Sequence, residues 1–236
     1  MDKEKQEGIE KYLAMQKTFY DVEAQKWTVD NRDPVVGSFD AHNRFQPYDD
    51  VLFDGLDTKP MVALEYGCGP GRNLVRYHSR FKRIDATDIS QYNLDKAAKW
   101  CEHNQVTPGN LKVCDGQSIP FNDAEYDMVF SVICLQHICV HSIRFSIFKD
   151  AYRVLRPEGH FCFQMGYGGR NMTSAYYENA SDATLTNGGM DVAVEDAYGL
   201  AKDLEDEIGF KGFKHKLTDL GPGDTHKQWI WVQVQK

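Results

Sequence analysis

The stretch "VALEYGCGPGRN", Val62 to Asn73, runs an apolar segment into a carboxylate and then sets glycines at positions 67, 69 and 71. A buried parallel strand would deliver the chain to a turn where Gly67 and Gly69 let the backbone approach a ligand and Gly71 lets the next helix pack close. Glu65, at the strand end, can accept a hydrogen bond from an ammonium or a hydroxyl group. A strand, turn and helix of this kind hold a nucleotide-like ligand at the helix N-terminus.

A glycine turn alone says little, because dehydrogenases use one with the spacing G-x-G-x-x-G. Here Arg72 stands where that pattern wants its third glycine, and the spacing is G-x-G-x-G. The next strand ends in "IDATDIS", which puts Asp88 about twenty residues beyond the loop, where a carboxylate can take both ribose hydroxyls. Further on, "VCDGQSIPF" puts Asp115 at a third strand end, where its side chain can accept an adenine amino group. Each carboxylate also has a plainer reading as a turn cap, and Asp-Gly is an everyday turn signal. Carboxylates at successive strand ends beside a glycine loop favour a ligand.

The rest of the chain extends this pattern in both directions. Short apolar runs at Met61 to Tyr66, Arg83 to Thr87, Asn110 to Val113, Met128 to Ile133 and His160 to Met165 alternate with helical stretches, which argues for an α/β fold with a parallel sheet. Ser90 caps one helix, with Leu94, Ala97, Ala98 and Cys101 on one face. Ile147, Phe148, Ala151, Tyr152 and Leu155 mark another, ended by Pro157 and Gly159. A helix is expected over Val194 to Ile208, stopped by Gly209. Phe213 to Leu220 and Gln228 to Val234 read as a closing antiparallel hairpin around "GPGD". The Gly- and Tyr-rich stretch 166–191 is too long for an ordinary connection and is expected to carry function. Upstream, Ile9, Tyr12, Leu13, Phe19, Tyr20 and Trp27 recur at helical spacing, followed by an irregular connection with one short helix near Tyr48 to Phe53. The expected organisation is an N-terminal helical cap over 1–59 on a single compact unit over 60–236.

Composition narrows the function. The chain has 236 residues and a formal charge of -8, so nothing global attracts a polyanion, and nucleic acid is disfavoured as a partner. The six cysteines are scattered singly, without the spacing of a zinc site or a disulfide framework. His137 and His141 stand four apart without an obvious third ligand, so no metal is expected. The charged start "MDKEKQEGIEKY" lacks a signal-peptide stretch and no segment has the length to cross a bilayer, so a cytoplasmic protein without membrane partners is expected.

The order E-x-G-x-G-x-G, "TDIS", "CDGQSIPF", "YDMVFSVICLQHI" and "AYRVLRPEGHF" resembles the class I S-adenosylmethionine-dependent methyltransferases of small-molecule type, closely from Pro60 to Met165 and more loosely beyond. The resemblance implies a Rossmann-like, seven-stranded, mostly parallel sheet whose last strand is antiparallel, with S-adenosylmethionine as cofactor. It also assigns residues. Glu65 and the loop from Tyr66 through Gly67, Cys68 and Gly69 to Gly71 would hold the methionine part, and Asp88 with Ile89 the ribose. Asp115, Gly116 and Gln117 would face adenine, and Ser131 with Val132 would lie near the transferable methyl. The cap and the 166–191 stretch match no subfamily, which leaves the acceptor open.

Methyl transfer from a sulfonium is an in-line displacement, so positioning supplies much of the rate and a general base depends on the acceptor. His137, in "CLQHI" after the fourth strand, is the candidate base, because imidazole titrates near neutrality. Its alternative is a structural role, capping the next helix or packing beneath the cofactor. Gln136 is a comparable polar contact. Tyr20 and Trp27 of the cap can wall the acceptor pocket, or merely belong to a greasy helix stripe. Tyr167 and Arg170 offer a second wall, with Arg170 a partner for an acidic substrate, or else sit on a solvated loop.

The favoured reading is transfer of a methyl group to nitrogen or oxygen of a small molecule. A non-catalytic module that binds S-adenosylmethionine or S-adenosylhomocysteine is the alternative. A nicotinamide oxidoreductase is a third reading, opposed by the glycine spacing and by Asp115 following Asp88.

Overall fold

The computed structural model describes residues 3–26, 48–169, 172–183, 191–221 and 223–236. Trp27, Arg170 and most of the expected irregular connection lie outside them. A long helix, α1 (Lys3–Lys26), and a short one, α2 (Asp49–Leu52), precede the first strand, β1 (Val62–Tyr66). Alternation follows as the apolar runs require: α3 (Arg72–Tyr77), β2 (Arg83–Asp88), α4 (Gln91–His103), β3 (Leu111–Val113), β4 (Tyr126–Ser131), α5 (His141–Val154) and β5 (Leu155–Gly169). The chain closes with β6 (Thr173–Ser174), β7 (Val192–Val194), α6 (Ala197–Ala201) continued by wider π-type turns over Lys202–Ile208, β8 (Lys211–Asp219) and β9 (His226–Gln235).

All five residues of β1 are buried, as a central strand covered on both faces demands. The two-residue period of the strand sorts them. Val62, Leu64 and Tyr66 join the core that includes Ile9 and Tyr12 of α1 and Ile147, Phe148 and Ala151 of α5. Ala63 joins the opposite core, with Leu52, Leu74, Leu94 and Ala97. Glu65 has the parity of Ala63 and therefore faces α3.

The strands run in the order β3-β2-β1-β4-β5, all parallel, and β9 then pairs antiparallel with β5 while β8 pairs with β9. Those are the seven strands that the resemblance implies. Two more come from the 166–191 stretch and the residues just after it, which make nine among the described residues. The reason is the length of β5. It pairs with β4 only as far as Phe163, but with β9 from His160 to Gly169. Its other edge is bare at Gly166 and Tyr167, and Ala193 and Val194 of β7 pair there in parallel. β6 then pairs with β7. An uncovered edge invites such pairing.

This placement corrects one boundary. Val194 was expected to open a helix, but Val192–Val194, with β-branched residues at both ends, is strand. The helix starts at Ala197, where the Asp196 side chain accepts from the Gly199 N–H at 3.1 Å. Gly209 ends the helical segment with φ of 101°. Ser90 caps α4 as expected, its hydroxyl accepting from the Asn93 N–H at 3.3 Å. No described helix is long and apolar enough to cross a membrane.

Candidate active site

The loop from Gly67 to Gly71 is tied to the end of β2: the N–H groups of Gly67 and Cys68 both donate to the Thr87 carbonyl, at 2.8 and 3.1 Å. All three glycines hold left-handed backbone, with φ of 71°, 53° and 88°. Their missing side chains do different things. A Cβ on Gly67 would meet the Cys134 sulfur at 2.2 Å, and one on Gly71 would meet Ala97 Cα at 2.8 Å. A Cβ on Gly69 would meet nothing within 4 Å. Sequence reasoning gave Gly67 and Gly69 the same task. In the structure Gly67 lets the loop after β4 close in, and Gly69 alone faces open space.

That space is a cavity of about 820 Å³ at the C-terminal ends of β1, β2 and β4, where open α/β sheets place their ligands. Glu65, 1% exposed, accepts from the Asn73 side-chain amide through Oε1 at 2.7 Å, while its buried Oε2 has no partner. Burial pushes its pKa up to about 8, against the pull of the Asn73 bond and of the Arg72 charge. Asp88 is also buried and better supported. Its Oδ2 accepts from the Gly69 N–H at 2.8 Å, and its Oδ1 from the Ser90 N–H and the Asn93 amide at 2.9 and 3.1 Å. Burial still raises its pKa above the usual carboxylate value.

Tyr66, Cys68, Ile89, Gly116 and Val132 line the cavity with these residues. Asp115, Gln117 and Ser131 are not among its walls. The Asp115 carboxylate closes on its own turn, accepting from the N–H groups of Gln117 and Ser118 and from the Ser118 hydroxyl, at 2.7 to 2.9 Å. The plainer Asp-Gly turn reading therefore describes this side chain, and its neighbours Cys114 and Gly116 face the space. The Ser131 hydroxyl donates to the Tyr66 carbonyl at 2.9 Å and ties β4 to β1. Tyr167 lies on the part of β5 paired with β7 and is likewise absent from the walls.

The loop after β4 forms the opposite side. Ile133 holds φ of 52°, costly for a β-branched residue, and its N–H donates to Gln164 Oε1 of β5 at 2.9 Å. The same Gln164 donates to Gln136 Oε1 at 2.8 Å, so one buried amide supports the turn and aligns Gln136. His137 closes the turn, with its Nδ1 2.5 Å from Asp191 Oδ1. Sequence reasoning missed Asp191. It lies 54 positions away and becomes a neighbour only because β7 docks beside β5. His141 turns to different carboxylates, Glu178 at 3.0 Å and Asp203 at 2.7 Å. The two histidines thus share no partner.

Helix α1 roofs the cavity with Tyr12, Leu13, Gln16, Phe19 and Tyr20. Its attachments are polar as well as apolar. The Tyr12 hydroxyl accepts from the Cys139 N–H at 2.9 Å, Gln16 donates to the His137 carbonyl at 2.8 Å, and the Ser90 hydroxyl donates to Asp21 at 2.6 Å. None of these pairings is visible in the periodicity of the helix.

A family model for the methyltransferase domain matches residues 64–163, which run from β1 through β5 and contain the glycine loop, Asp88 and His137. Residues 64–163 thus read as a methyltransferase domain, and the fold is that of solved S-adenosylmethionine-dependent methyltransferases. It is 27% identical over 128 residues to a malonyl-[acyl-carrier protein] O-methyltransferase of Pseudescherichia vulneris, a match covering 53% of this chain and 48% of that one. It spans less than half the length of the curated relatives that it matches, 43% and 48%. Among solved structures, a methyltransferase of Methanosarcina mazei superposes with a TM-score of 0.61 at 18% identity, covering 81% of this chain and 97% of that one. Phosphoethanolamine N-methyltransferase 2 of Haemonchus contortus, solved with phosphomonomethylethanolamine and S-adenosylhomocysteine, superposes with a TM-score of 0.56 at 17% identity, covering 77% and 50%.

The cofactor of these methyltransferases is S-adenosylmethionine. Two features fit it here. The partnerless Glu65 Oε2 is a buried acceptor that an ammonium group satisfies, and the open side of Gly69 admits a ligand against bare main chain.

Proposed function

We propose that the chain transfers a methyl group from S-adenosylmethionine to nitrogen or oxygen of a small-molecule acceptor, held between α1 and the loop after β4. Bound there, the cofactor supplies an electrophilic methyl on a sulfonium. Glu65 and the loop from Tyr66 to Gly71 take its methionine part, Asp88 with Ile89 its ribose, and Gly116 the edge of its adenine, with Asp115 stiffening that turn. The observation that carries the reading is the continuity of the cavity. One space of about 820 Å³ runs from Glu65 and Asp88 to His137, Gln136 and Tyr20, and it lies toward the upper end of the roughly 300–1,000 Å³ usual for ligand sites.

In this reading α1, the described helix of the cap over 1–59, acts as a lid on the unit over 60–236, excluding water and orienting the acceptor. Asp191, the last residue of the 166–191 stretch, lines the acceptor side. His137 serves as base or orienting group, with Gln136 and Tyr20 beside it. The test is calorimetric titration with S-adenosylmethionine and S-adenosylhomocysteine, followed by an assay for S-adenosylhomocysteine release with candidate acceptors. Binding of both compounds and acceptor-dependent release support the reading. Absence of binding refutes it, and binding without any turnover leaves the non-catalytic module in its place.

A further inference from the structure

Among the described residues that line the cavity, five bear carboxyl groups, Glu23, Glu65, Asp88, Asp191 and Asp224, and Arg72 is the single Lys or Arg. Arg72 opens α3 beside Glu65, whose ionisation it favours, and lies 5.9 Å from the Tyr48 ring, so its charge belongs to the cofactor half. Glu65 and Asp88 belong to that half as well. On the remaining described walls the Asp and Glu side chains are the formally charged ones, set among aromatic and other neutral residues. Asp191 holds His137, Asp224 accepts from the His226 N–H at 3.1 Å in the turn before β9, and Glu23 sits on α1 paired with Lys26. Phe19, Tyr20 and Trp229 stand among them. A concave surface of one sign concentrates ions of the other, and aromatic faces favour cations. A phosphate or carboxylate acceptor meets no cationic side chain on these described walls.

His137 adds the chemistry. A carboxylate only accepts hydrogen bonds, so the short contact with Asp191 places a hydrogen on Nδ1, and in the neutral ring the lone pair is then on Nε2. Other titratable groups on the described walls of this half include Tyr12, whose hydroxyl is 3.5 Å from the His137 carbonyl, Tyr20 of α1, and Cys134 of the same turn.

We infer that the acceptor is a primary or secondary amine that arrives as an ammonium ion, and that His137, positioned by Asp191, removes its proton before methyl transfer. The inference rests on the methyltransferase reading and names its substrate class. Nε2 takes one N–H proton and His137 becomes an imidazolium ion beside the Asp191 carboxylate. The freed nitrogen lone pair forms the N–C bond as the C–S bond breaks, with its electrons going to sulfur. The methylated product keeps its remaining N–H hydrogens and one positive charge, and the proton on His137 leaves to solvent.

The experiment pairs calorimetry with a turnover panel. Alkyl- and arylamines are set against the matching alcohols, phenols and carboxylic acids, with S-adenosylhomocysteine as the measured product. Turnover is expected for the amines. Asp191→Asn should lower kcat for the amine about a hundredfold, the size of a general-base contribution, and should change the acidic limb of the pH profile. S-adenosylmethionine affinity should stay at the wild-type value, and Asp191→Glu should restore part of the rate. Turnover confined to hydroxyl or carboxyl compounds, no turnover of amines by protein that binds the cofactor, or an Asp191→Asn profile identical in shape to wild type each overturns the inference. Failure to bind S-adenosylmethionine at all brings down the methyltransferase reading first, and this inference with it.

Discussion

Asp85 and Glu65 lie on neighbouring strands, one step apart in register, and are 0% and 1% exposed. Asp85 is surrounded by donors. It accepts from Arg83 at 3.0 Å, from the Asn110 N–H and side chain at 2.9 and 3.3 Å, and from the Tyr126 hydroxyl at 2.8 Å. Glu65 has Asn73 and one oxygen with no partner. A buried carboxylate without enough donors costs stability. The fold satisfies the first carboxylate from within and leaves the second incomplete, at the end of the sheet where the cavity opens. Incomplete hydrogen bonding, more than burial or charge, separates the cavity-facing acid from the structural one.

The largest effect should come from breaking the satisfied member. Asp85→Ala leaves Tyr126 and Asn110 without their acceptor, and denaturant unfolding should show a loss of roughly 3 kcal/mol, with S-adenosylmethionine affinity of the folded protein unchanged. Glu65→Gln should do the opposite. It keeps the shape and removes the charge, so affinity for S-adenosylmethionine should fall about a hundredfold by calorimetry, while the ligand-free protein melts no lower than wild type.

The pH dependence sharpens the same contrast. Folded Glu65 holds its proton up to about pH 8, whereas in the unfolded chain it ionises near 4.5. Between those values the ligand-free folded state binds the extra proton, so this group's contribution to stability falls as pH rises through the window. A cofactor ammonium favours the carboxylate, so binding at pH 7 should release close to one proton. Calorimetry in buffers of different ionisation enthalpy reads that number, and a value of zero in wild type, or an unchanged value in Glu65→Gln, would remove Glu65 from the ammonium site. The smallest effects belong to the loop. Gly69→Ala and Gly71→Ala both force a side chain into left-handed backbone, at about 1 to 2 kcal/mol each. Gly71→Ala adds the collision with Ala97 and should lose more in thermal midpoint, and Gly69→Ala more in cofactor affinity.

The cavity wall around the glycine loop was legible in the sequence because its parts are local. Glu65, the glycines and Asp88 sit at strand ends that apolar runs announce, and their spacing carries the geometry. Asp115 was ambiguous for a physical reason: the same Asp-Gly pair serves a turn and an adenine contact, and its bonds to Gln117 and Ser118 are those of the turn. The opposite wall, around His137, was hidden. The bond between His137 and Asp191 and the grip of Gln16 on the His137 carbonyl join residues 54 and 121 positions apart. Val192–Val194 carried a strand signal too short to distinguish from the start of a helix, so the element that delivers Asp191 went unread.

The way β7 joins β5 has a consequence for how such a protein diversifies. Asp191 stands immediately before a strand whose partners, Gly166 and Tyr167, are set by hydrogen-bond pairing. Side chains alternate along that ladder, so a shift of one residue would swing the carboxylate to the wrong face. Chain upstream of Asp191 can lengthen or shorten without moving it, as long as the ladder holds. Reshaping the cavity on this side is thereby uncoupled from aiming the Asp191 carboxylate at His137.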